Sequence, residues 1–412
     1  MASSLGGRQF DVIVVGGGPA GSMTAYFLAK SGIRTALLDA STFPRTKACG
    51  GGLQARTLLD IPFDLSHLFR GTMYRMSLSF GLREFWTRGY PEPLVYSVLR
   101  SEFDHYLVQC ARTAGACVYE ASLVRGVTVT DGAVTVRTDG EEFHAQLLVG
   151  ADGANSVVRS TLNSRQSYFW QAAVYCEIPE EYVNPEAFSA DAMRVDFGTL
   201  PSGYAWVFPK LGSVNVGAGA PVTMARHLRK YVGEFIDNAR LLKESCKDRI
   251  NFVGHQLPTL TAGVRLSARR MLLVGDAAGV VEPFTGDGIS FACKSARIAA
   301  DSIFRALNSA DLDLTRYHDQ LLSLMGAELL WSRKLLAISV AFPKLIYRLF
   351  RSNDLVWQTF CKTLRGEESF HRLKKDVLGP FEFAWKAIDL FTQVRERMIL
   401  SSKSLAFHVP KV

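Results

Sequence analysis

The run Val12-Ile13-Val14-Val15 after Asp11 is apolar without interruption, which predicts a strand buried on both faces rather than one side of an exposed sheet. A glycine cluster follows, Gly16-Gly17-Gly18-Pro19-Ala20-Gly21, and Met23 to Lys30 then carries apolar residues at helical period. Arg34 to Leu38 predicts a second strand, ending at Asp39. Two more apolar runs each feed a turn holding glycine and aspartate: Leu147-Leu148-Val149 before Gly150-Ala151-Asp152-Gly153, and Met271-Leu272-Leu273-Val274 before Gly275-Asp276-Ala277-Ala278-Gly279. After Thr285-Gly286-Asp287-Gly288-Ile289 an alanine-rich stretch predicts a helix to about Leu307. Alternating patterns over Met76–Phe80, Val124–Val136 and a long section from about Ser167 to His255 predict sheet. Beyond Trp331 bulky apolar residues interleave with bases (Arg333, Lys334, Leu335, Leu336, then Phe342 to Arg351), the mark of amphipathic helix.

These elements predict an α/β chain with a discontinuous nucleotide-binding domain of Rossmann type over 8–72, 100–165 and 266–310. An antiparallel-sheet substrate domain occupies 73–99 and 166–265, and a C-terminal helical region 311–412. Composition agrees: 412 residues, 48% hydrophobic and 21% charged, describe a globular chain long enough for two or three units. The longest uncharged apolar run of the tail, Leu335–Pro343, is far short of the roughly 20 residues that cross a bilayer. The first residues lack the apolar core of a signal peptide, so the expected location is the cytoplasm. Seven cysteines form no metal-ligand spacing and no CxxC pair, and none of the eight histidines falls in a metal spacing; no metal site is expected. Residues 331–412 hold 15 basic and 7 acidic side chains, while the first 330 are balanced at 32 of each, so the whole excess of +8 sits in the tail. Such a tail either packs on the protein with its bases outward or lies peripherally on an anionic inner membrane surface. Nucleic acid is not an expected partner, because no recognisable binding module accompanies the bases.

The strand, glycine turn, helix and second strand together turn a weak glycine signature into a strong one. Gly16 permits the tight turn, Gly18 lets the backbone approach a pyrophosphate, Ala20 lies in the first helical turn, and Gly21 allows close helix packing. The helix N-terminus offers free N–H groups and the positive end of a dipole. Asp39, 23 residues beyond Gly16, stands where a carboxylate accepts hydrogen bonds from an adenosine ribose. No second motif of this kind exists for NAD(P)H.

All three glycine-aspartate motifs resemble the FAD domain of the glutathione-reductase-like, hydroxybenzoate-hydroxylase-type flavoproteins. That resemblance implies FAD, with Asp152 among its contacts and Asp276 on the ribitol side. It also implies that the helix after Gly286, Gly288 and Ile289 points its N-terminus at the flavin pyrimidine ring, where the dipole favours negative charge. Arg100 sits where this family carries a flavin-contacting arginine; its alternative is a surface salt bridge. Arg45, Gly50, Gly52 and Val124 complete the expected cofactor contacts. Two further segments, Phe43-Pro44-Arg45-Thr46-Lys47-Ala48-Cys49-Gly50-Gly51-Gly52-Leu53 and Pro201-Ser202-Gly203-Tyr204-Ala205-Trp206-Val207-Phe208-Pro209, the latter followed by a Gly212 turn and the strand Val214–Gly219, are similar to the geranylgeranyl reductase family. Its members saturate isoprenoid double bonds using FAD. The resemblance spans residues 10 to about 310 and fits the menaquinone, chlorophyll and archaeal-lipid branches equally.

On a strand Tyr204, Trp206 and Phe208 project to one face. They form either an ordinary core stripe or an aromatic wall for a prenyl chain, able to stabilise a tertiary cation by about 0.5–2 kcal/mol per ring. Cys49 is a candidate proton donor or local gate; its alternative is a small buried hydrophobe. Phe169, Trp170 and Phe284 are assigned to the core. The rival enzyme class is an FAD-dependent monooxygenase or halogenase acting on an aromatic substrate. Hydroxylases of this fold usually carry His where Gly279 stands, and halogenases resemble Trp-x-Trp-x-Ile-Pro where this chain has Tyr204 and Phe208. An electron-relay flavoprotein is a third class, disfavoured by the lack of iron–sulfur cysteine spacing. The external reductant is expected to be NAD(P)H docking at the flavin or a reduced ferredoxin, whose acidic surface would suit the basic tail. The expected substrate is a prenylated small molecule or lipid.

Overall fold

The computed structural model describes residues 8–162, 168–187, 189–243, 250–261, 263–309 and 311–378. Strand Arg8–Val15 lies in the middle of an eight-stranded sheet, flanked in parallel by Glu142–Gly150 on one side and Thr35–Leu38 on the other. Val12 pairs with both Leu147 and Thr35, and Val15 with both Gly150 and Leu38, so the ends of three strands are level. Cys117–Tyr119 and Met271–Leu273 extend the parallel part, and the hairpin Val124–Val129/Val134–Thr138 is attached antiparallel. Residues Val12 to Val15 and Leu147 to Val149 are buried, as the unbroken apolar runs require. Helices Pro19–Lys30 and Ile289–Asn308 pack against each other over this sheet.

A second, seven-stranded sheet runs in the order Val253–Thr259, Phe169–Pro179, Ser213–Pro221, Tyr204–Lys210, Ala192–Phe197, Arg75–Phe80 and Trp86–Gly89. All its pairs are antiparallel except Ala192–Phe197 with Arg75–Phe80. Its strands alternate. Ala205, Val207, Val214 and Val216 point into one core, with Leu228, Tyr231, Val232, Phe235 and Ile236 of a helix, Ala225–Asn238. That helix corrects the expectation of sheet from 167 to 255. Its five apolar residues stand at i, i+3, i+4, i+7 and i+8, a helical period inside a β-rich section.

The tail resolves the choice between packing and exposure for most of its described length. Helices Ala327–Ala341, Pro343–Ser352, Asp354–Arg365 and Phe370–Leu378 bury Leu335, Ile338, Ile346, Phe350, Trp357 and Phe360 in one core with Met73, Met76, Leu78 and Met193 of the second sheet and its neighbours. Lys344, Arg348 and Arg351 stay exposed. Among the described residues no helix is long and apolar enough to cross a membrane.

Candidate active site: a cofactor cradle opening onto an aromatic wall

The turn after Arg8–Val15 is held by backbone contacts that admit no side chain at two of its glycines. Gly16 has φ +102°, and a Cβ there would lie 2.3 Å from the Ala151 carbonyl oxygen; one on Gly21 would lie 1.8 Å from the Gly16 oxygen. Gly18 differs, since the Arg45 Nη2 at 3.9 Å is the only atom a Cβ would meet within 4 Å. The space in front of Gly18 is therefore open toward the cavity, at the N-terminus of a helix that has Pro19 in its first turn and no capping side chain. Its N–H groups are free for an anion. Asp39, buried at the end of the second strand, accepts from the Gly17 N–H at 2.6 Å and the Ser41 N–H at 2.8 Å, and it also lines the cavity. A glycine-lined cradle, a helix N-terminus and a carboxylate at the end of the second strand fit a dinucleotide.

The cavity has a volume of about 900 Å³, and of the expected site residues Gly16, Gly18, Ala20, Asp39, Arg45, Cys49, Gly50, Gly52, Arg100, Val124, Asp152, Tyr204, Trp206, Phe208, Asp276, Gly286, Gly288 and Ile289 line it. Gly21 lies behind the cradle wall as a packing residue. Asp152 reaches the cavity, but its carboxylate caps a short helix, accepting from Ser156 and from the Val157 and Val158 N–H groups at 2.7 and 3.1 Å. Arg159 locks the two aspartate turns together. It donates to the carbonyls of Ala154, Asp276 and Ala277 and stacks over Tyr168 and Trp170.

Arg100 makes no surface salt bridge. It is buried and forms a two-pronged pair with Asp104, both contacts 2.8 Å, and Arg45 reaches the same carboxylate at 3.1 Å. Burial alone would pull its guanidinium down, but Asp104 and then Cys49 outweigh that and hold it above its ordinary value. Cys49 stands beside it at the head of the glycine-rich loop, its Sγ accepting from the Gly51 N–H at 3.4 Å. This loop lies directly on the aromatic wall: a Cβ on Gly50 would sit 2.9 Å from the Trp206 Nε1, and one on Gly52 3.0 Å from the Phe208 ring.

Tyr204, Trp206 and Phe208 share a face as expected, with ring centres 5.8 and 6.3 Å apart. The Trp206 indole is fixed by a polar chain that sequence reasoning missed. Its N–H donates to the Asn215 Oδ1 at 2.8 Å, Asn215 donates to Glu177 at 2.8 Å, and Lys210 donates to the same carboxylate at 3.1 Å. Gly217 leaves the room in which the indole lies, since a Cβ there would be 2.4 Å from it. The Tyr204 hydroxyl donates to the Thr285 carbonyl at 2.6 Å, tying the wall to the loop before helix Ile289–Asn308. Burial, then the Glu282 and Asp287 carboxylates, pushes the phenol above its ordinary value, so Tyr204 keeps its proton. Glu282 itself is buried and holds that loop through the Phe284 N–H, the Thr285 N–H and hydroxyl, and Ser332 of the tail; burial raises its carboxyl. Phe284, assigned to the core from sequence, instead lines the cavity at the edge of the tail cluster, against Phe360 and Phe370. Beyond the aromatic wall the cavity becomes apolar, bounded by Met76, Leu78, Met193 and Val195 of the second sheet and by Leu336, Val340, Ile346 and Phe350 of the tail. Lys47 and His255 also line it; no spacing in the sequence pairs them.

Comparison with known proteins places this architecture. Residues 9–61 and 67–176 match the FAD binding domain family. The chain is 32% identical to geranylgeranyl diphosphate reductase of Rhodobacter capsulatus over 322 residues, 75% of this chain and 79% of that one. It is also 32% identical to menaquinone reductase of Mycobacterium tuberculosis over 336 residues, 73% and 77% of the two chains. A crystal structure of a geranylgeranyl bacteriochlorophyll reductase-like protein from Thermoplasma acidophilum superposes with a TM-score of 0.72, covering 93% of this chain and 99% of that one at 22% identity, which establishes the shared fold. With the dinucleotide cradle in place and this identity extending over about three quarters of the chain, the chain belongs to the geranylgeranyl reductase family of FAD-dependent oxidoreductases.

Proposed function

We propose that this enzyme saturates isoprenoid carbon–carbon double bonds of a prenylated lipid, quinone or pigment precursor. The observation that carries the reading is the continuity of the cavity: the glycine-rich cofactor loop, the aromatic wall and an apolar chamber form one space. An isoprenoid chain has no polar handle beyond its head group, and the chamber of Met, Leu, Val, Ile and Phe side chains matches it. FAD, held by Gly18, Asp39 and the turn at Asp276, supplies a hydride when reduced. The protein's own part is the proton and the geometry. Cys49 donates the proton to one alkene carbon while the other receives the hydride, so that the product gains two hydrogens. Tyr204, Trp206 and Phe208 hold the alkene and face the positive charge that develops on it. Tyr204, protonated and tied to Thr285, fixes the wall relative to the cofactor loop.

The monooxygenase reading is disfavoured at Gly279, which adopts φ +73° and whose Cβ would lie 2.7 Å from the Tyr168 ring, so the histidine usual in hydroxylases has no room. The electron donor on this reading is NAD(P)H docking at the flavin or a reduced ferredoxin. The exposed Lys344, Arg348 and Arg351 suit a peripheral position on an anionic membrane, where the substrate resides. Anaerobic incubation of the dithionite-reduced enzyme with a panel of prenylated lipids tests the proposal. Mass gains in steps of two hydrogens support it, and unchanged prenyl chains together with unreoxidised flavin reject it.

A further inference from the structure

The polar chain behind Trp206 is costly for what it packs. Trp206 and Asn215 are buried, and the Lys210 side chain is only 3% exposed. Apolar side chains of the same volume would fill this space without the desolvation that an amide and an ammonium require. What the polar groups add is direction. The indole N–H only donates, so it must meet the Asn215 Oδ1. The Glu177 carboxylate only accepts, so it must meet the Asn215 Nδ2, and the Lys210 ammonium can only donate to that carboxylate. None of the three links can be reversed, which leaves Asn215 one setting, and the indole is fixed with it.

Both ends of the chain press on the loop that carries Cys49. A Cβ on Gly50 would lie 2.9 Å from the Trp206 Nε1, and one on Gly51, whose φ is +71°, 3.2 Å from the Lys210 Nζ. Asn215 joins these ends from the strand between them, opposite Phe208 on one side and Glu177 on the other. We propose that Asn215 is a positioning residue of the double-bond reduction: it holds the Trp206 indole through Nε1 and ties it through Glu177 to Lys210, so that the face of that ring and the Cys49 thiol keep one spacing. The Glu177 charge aligns the Asn215 amide dipole, which makes Oδ1 a stronger acceptor and the indole more electron-rich toward a developing cation. Asn215, Glu177 and Lys210 do not line the cavity themselves; they act through Trp206 and the loop. This inference rests on the prenyl-reductase reading, and the experiment separates the two.

A double-mutant cycle with Trp206→Phe, which keeps an aromatic ring and lacks the N–H, tests the assignment. Holoenzyme is supplied with dithionite and offered geranylgeraniol, geranylgeranyl diphosphate and menaquinone. Asn215→Leu, close to asparagine in volume, is expected to lower turnover at saturating substrate about tenfold, with KM within about twofold of wild type. In the Trp206→Phe background the same change is expected to cost less than about twofold. Asn215→Asp is expected to be slow because two carboxylates then meet, and adding Glu177→Gln to restore most of the rate, amide and carboxylate having traded places. General packing gives no such rescue. In tryptophan-labelled protein the Trp206 N–H signal, identified by its loss in Trp206→Phe, reads the bond itself: exchange with solvent is expected to be slow in wild type and in the restored pair, and fast in Asn215→Leu. Where Asn215→Leu does not fold, Asn215→Ser takes its place in the cycle. Equal losses with and without the indole N–H, or a change in KM alone, overturn the positioning role and leave the reductase reading standing. A wild type that reduces none of the three substrates while its flavin is reduced rejects that reading, and the role of Asn215 falls with it.

Discussion

Gly18 separates cofactor binding from folding in a way its neighbours do not, and Gly18→Ala tests that. The new methyl meets nothing of the protein closer than 3.9 Å, and φ at this position is −73°, a value any residue adopts. Two small effects then oppose each other in the apo-protein: the unfolded chain loses freedom, a gain of about 0.4–1 kcal/mol, and alanine is a poorer N-cap than glycine by about the same amount. Apo stability is therefore expected to stay within about 0.5 kcal/mol of wild type. FAD binding changes by far more. The methyl occupies the space through which the backbone would approach a pyrophosphate, and loss of one or two hydrogen bonds to a charged group, at about 1.5–3 kcal/mol each, predicts at least a tenfold and up to about 10⁴-fold weaker affinity. Gly21→Ala is the control, because its Cβ would lie 1.8 Å from the Gly16 oxygen and 3.0 Å from the Ala151 Cβ, so helix and strand must part. Thermal melts of the apo-proteins and FAD titrations by fluorescence quenching measure both quantities. An apo Gly18→Ala protein that melts as low as Gly21→Ala, or one that binds FAD like wild type, refutes the reasoning.

Three further outcomes are expected. Cys49→Ala should keep FAD and its photoreduction while slowing reoxidation by prenyl substrate about 10²-fold in stopped flow, as for loss of a general acid; a wild-type rate would transfer the proton to Tyr204 or water. Pelleting of the protein with anionic liposomes should weaken as salt rises, because attraction through Lys344, Arg348 and Arg351 is screened over about 10 Å at 0.1 M; absence of binding at every salt concentration would leave the tail as a packed cap alone. His255 has a folded-state value of about 4, below the 6.5 of the free side chain, so its neutral form favours the fold. The corresponding stability is complete above pH 6.5 and is lost as the pH falls toward 4. Urea midpoints of wild type should drop through that window relative to His255→Gln, and parallel curves would contradict it.

The cradle was legible in the sequence because its requirements are local. Gly16, Gly18 and Gly21 stand within six residues, and strand and helix periods bracket them. The aromatic wall was legible as a period of two, and Tyr204, Trp206 and Phe208 do share a face. What fixes the indole was not, because Asn215 meets Trp206 only through the pairing of two strands, and Glu177 joins from a third. Lys47 and His255 are 208 residues apart, one in the glycine-rich cofactor loop and the other on an edge strand of the second sheet, a juxtaposition no spacing encodes. Asp152, expected among the cofactor contacts, lines the cavity, yet a glycine-aspartate turn does not reveal that the carboxylate turns back to cap its own helix. Helix Ala225–Asn238 was hidden by the β-branched stretches around it, although its own period is clear. Phe284 reads as core because it does pack against Phe360 and Phe370; its other side meets the cavity.

Thr285 holds together parts of the molecule that are remote in sequence. Its carbonyl receives the Tyr204 hydroxyl from the aromatic wall, its hydroxyl receives Gln54 from beyond the glycine-rich loop, and Glu282 anchors it toward Ser332 of the tail. The peptide that follows it, Gly286 to Gly288, leads into helix Ile289–Asn308. A bulky chain that leaned on Tyr204 would therefore load, through one hydrogen bond, the loop that opens helix Ile289–Asn308. Chamber and cradle are thus joined through the hydrogen bonds of Thr285. The same residue sets the position of the aromatic wall, of Gln54 beyond the glycine-rich loop and of the turn before the long helix.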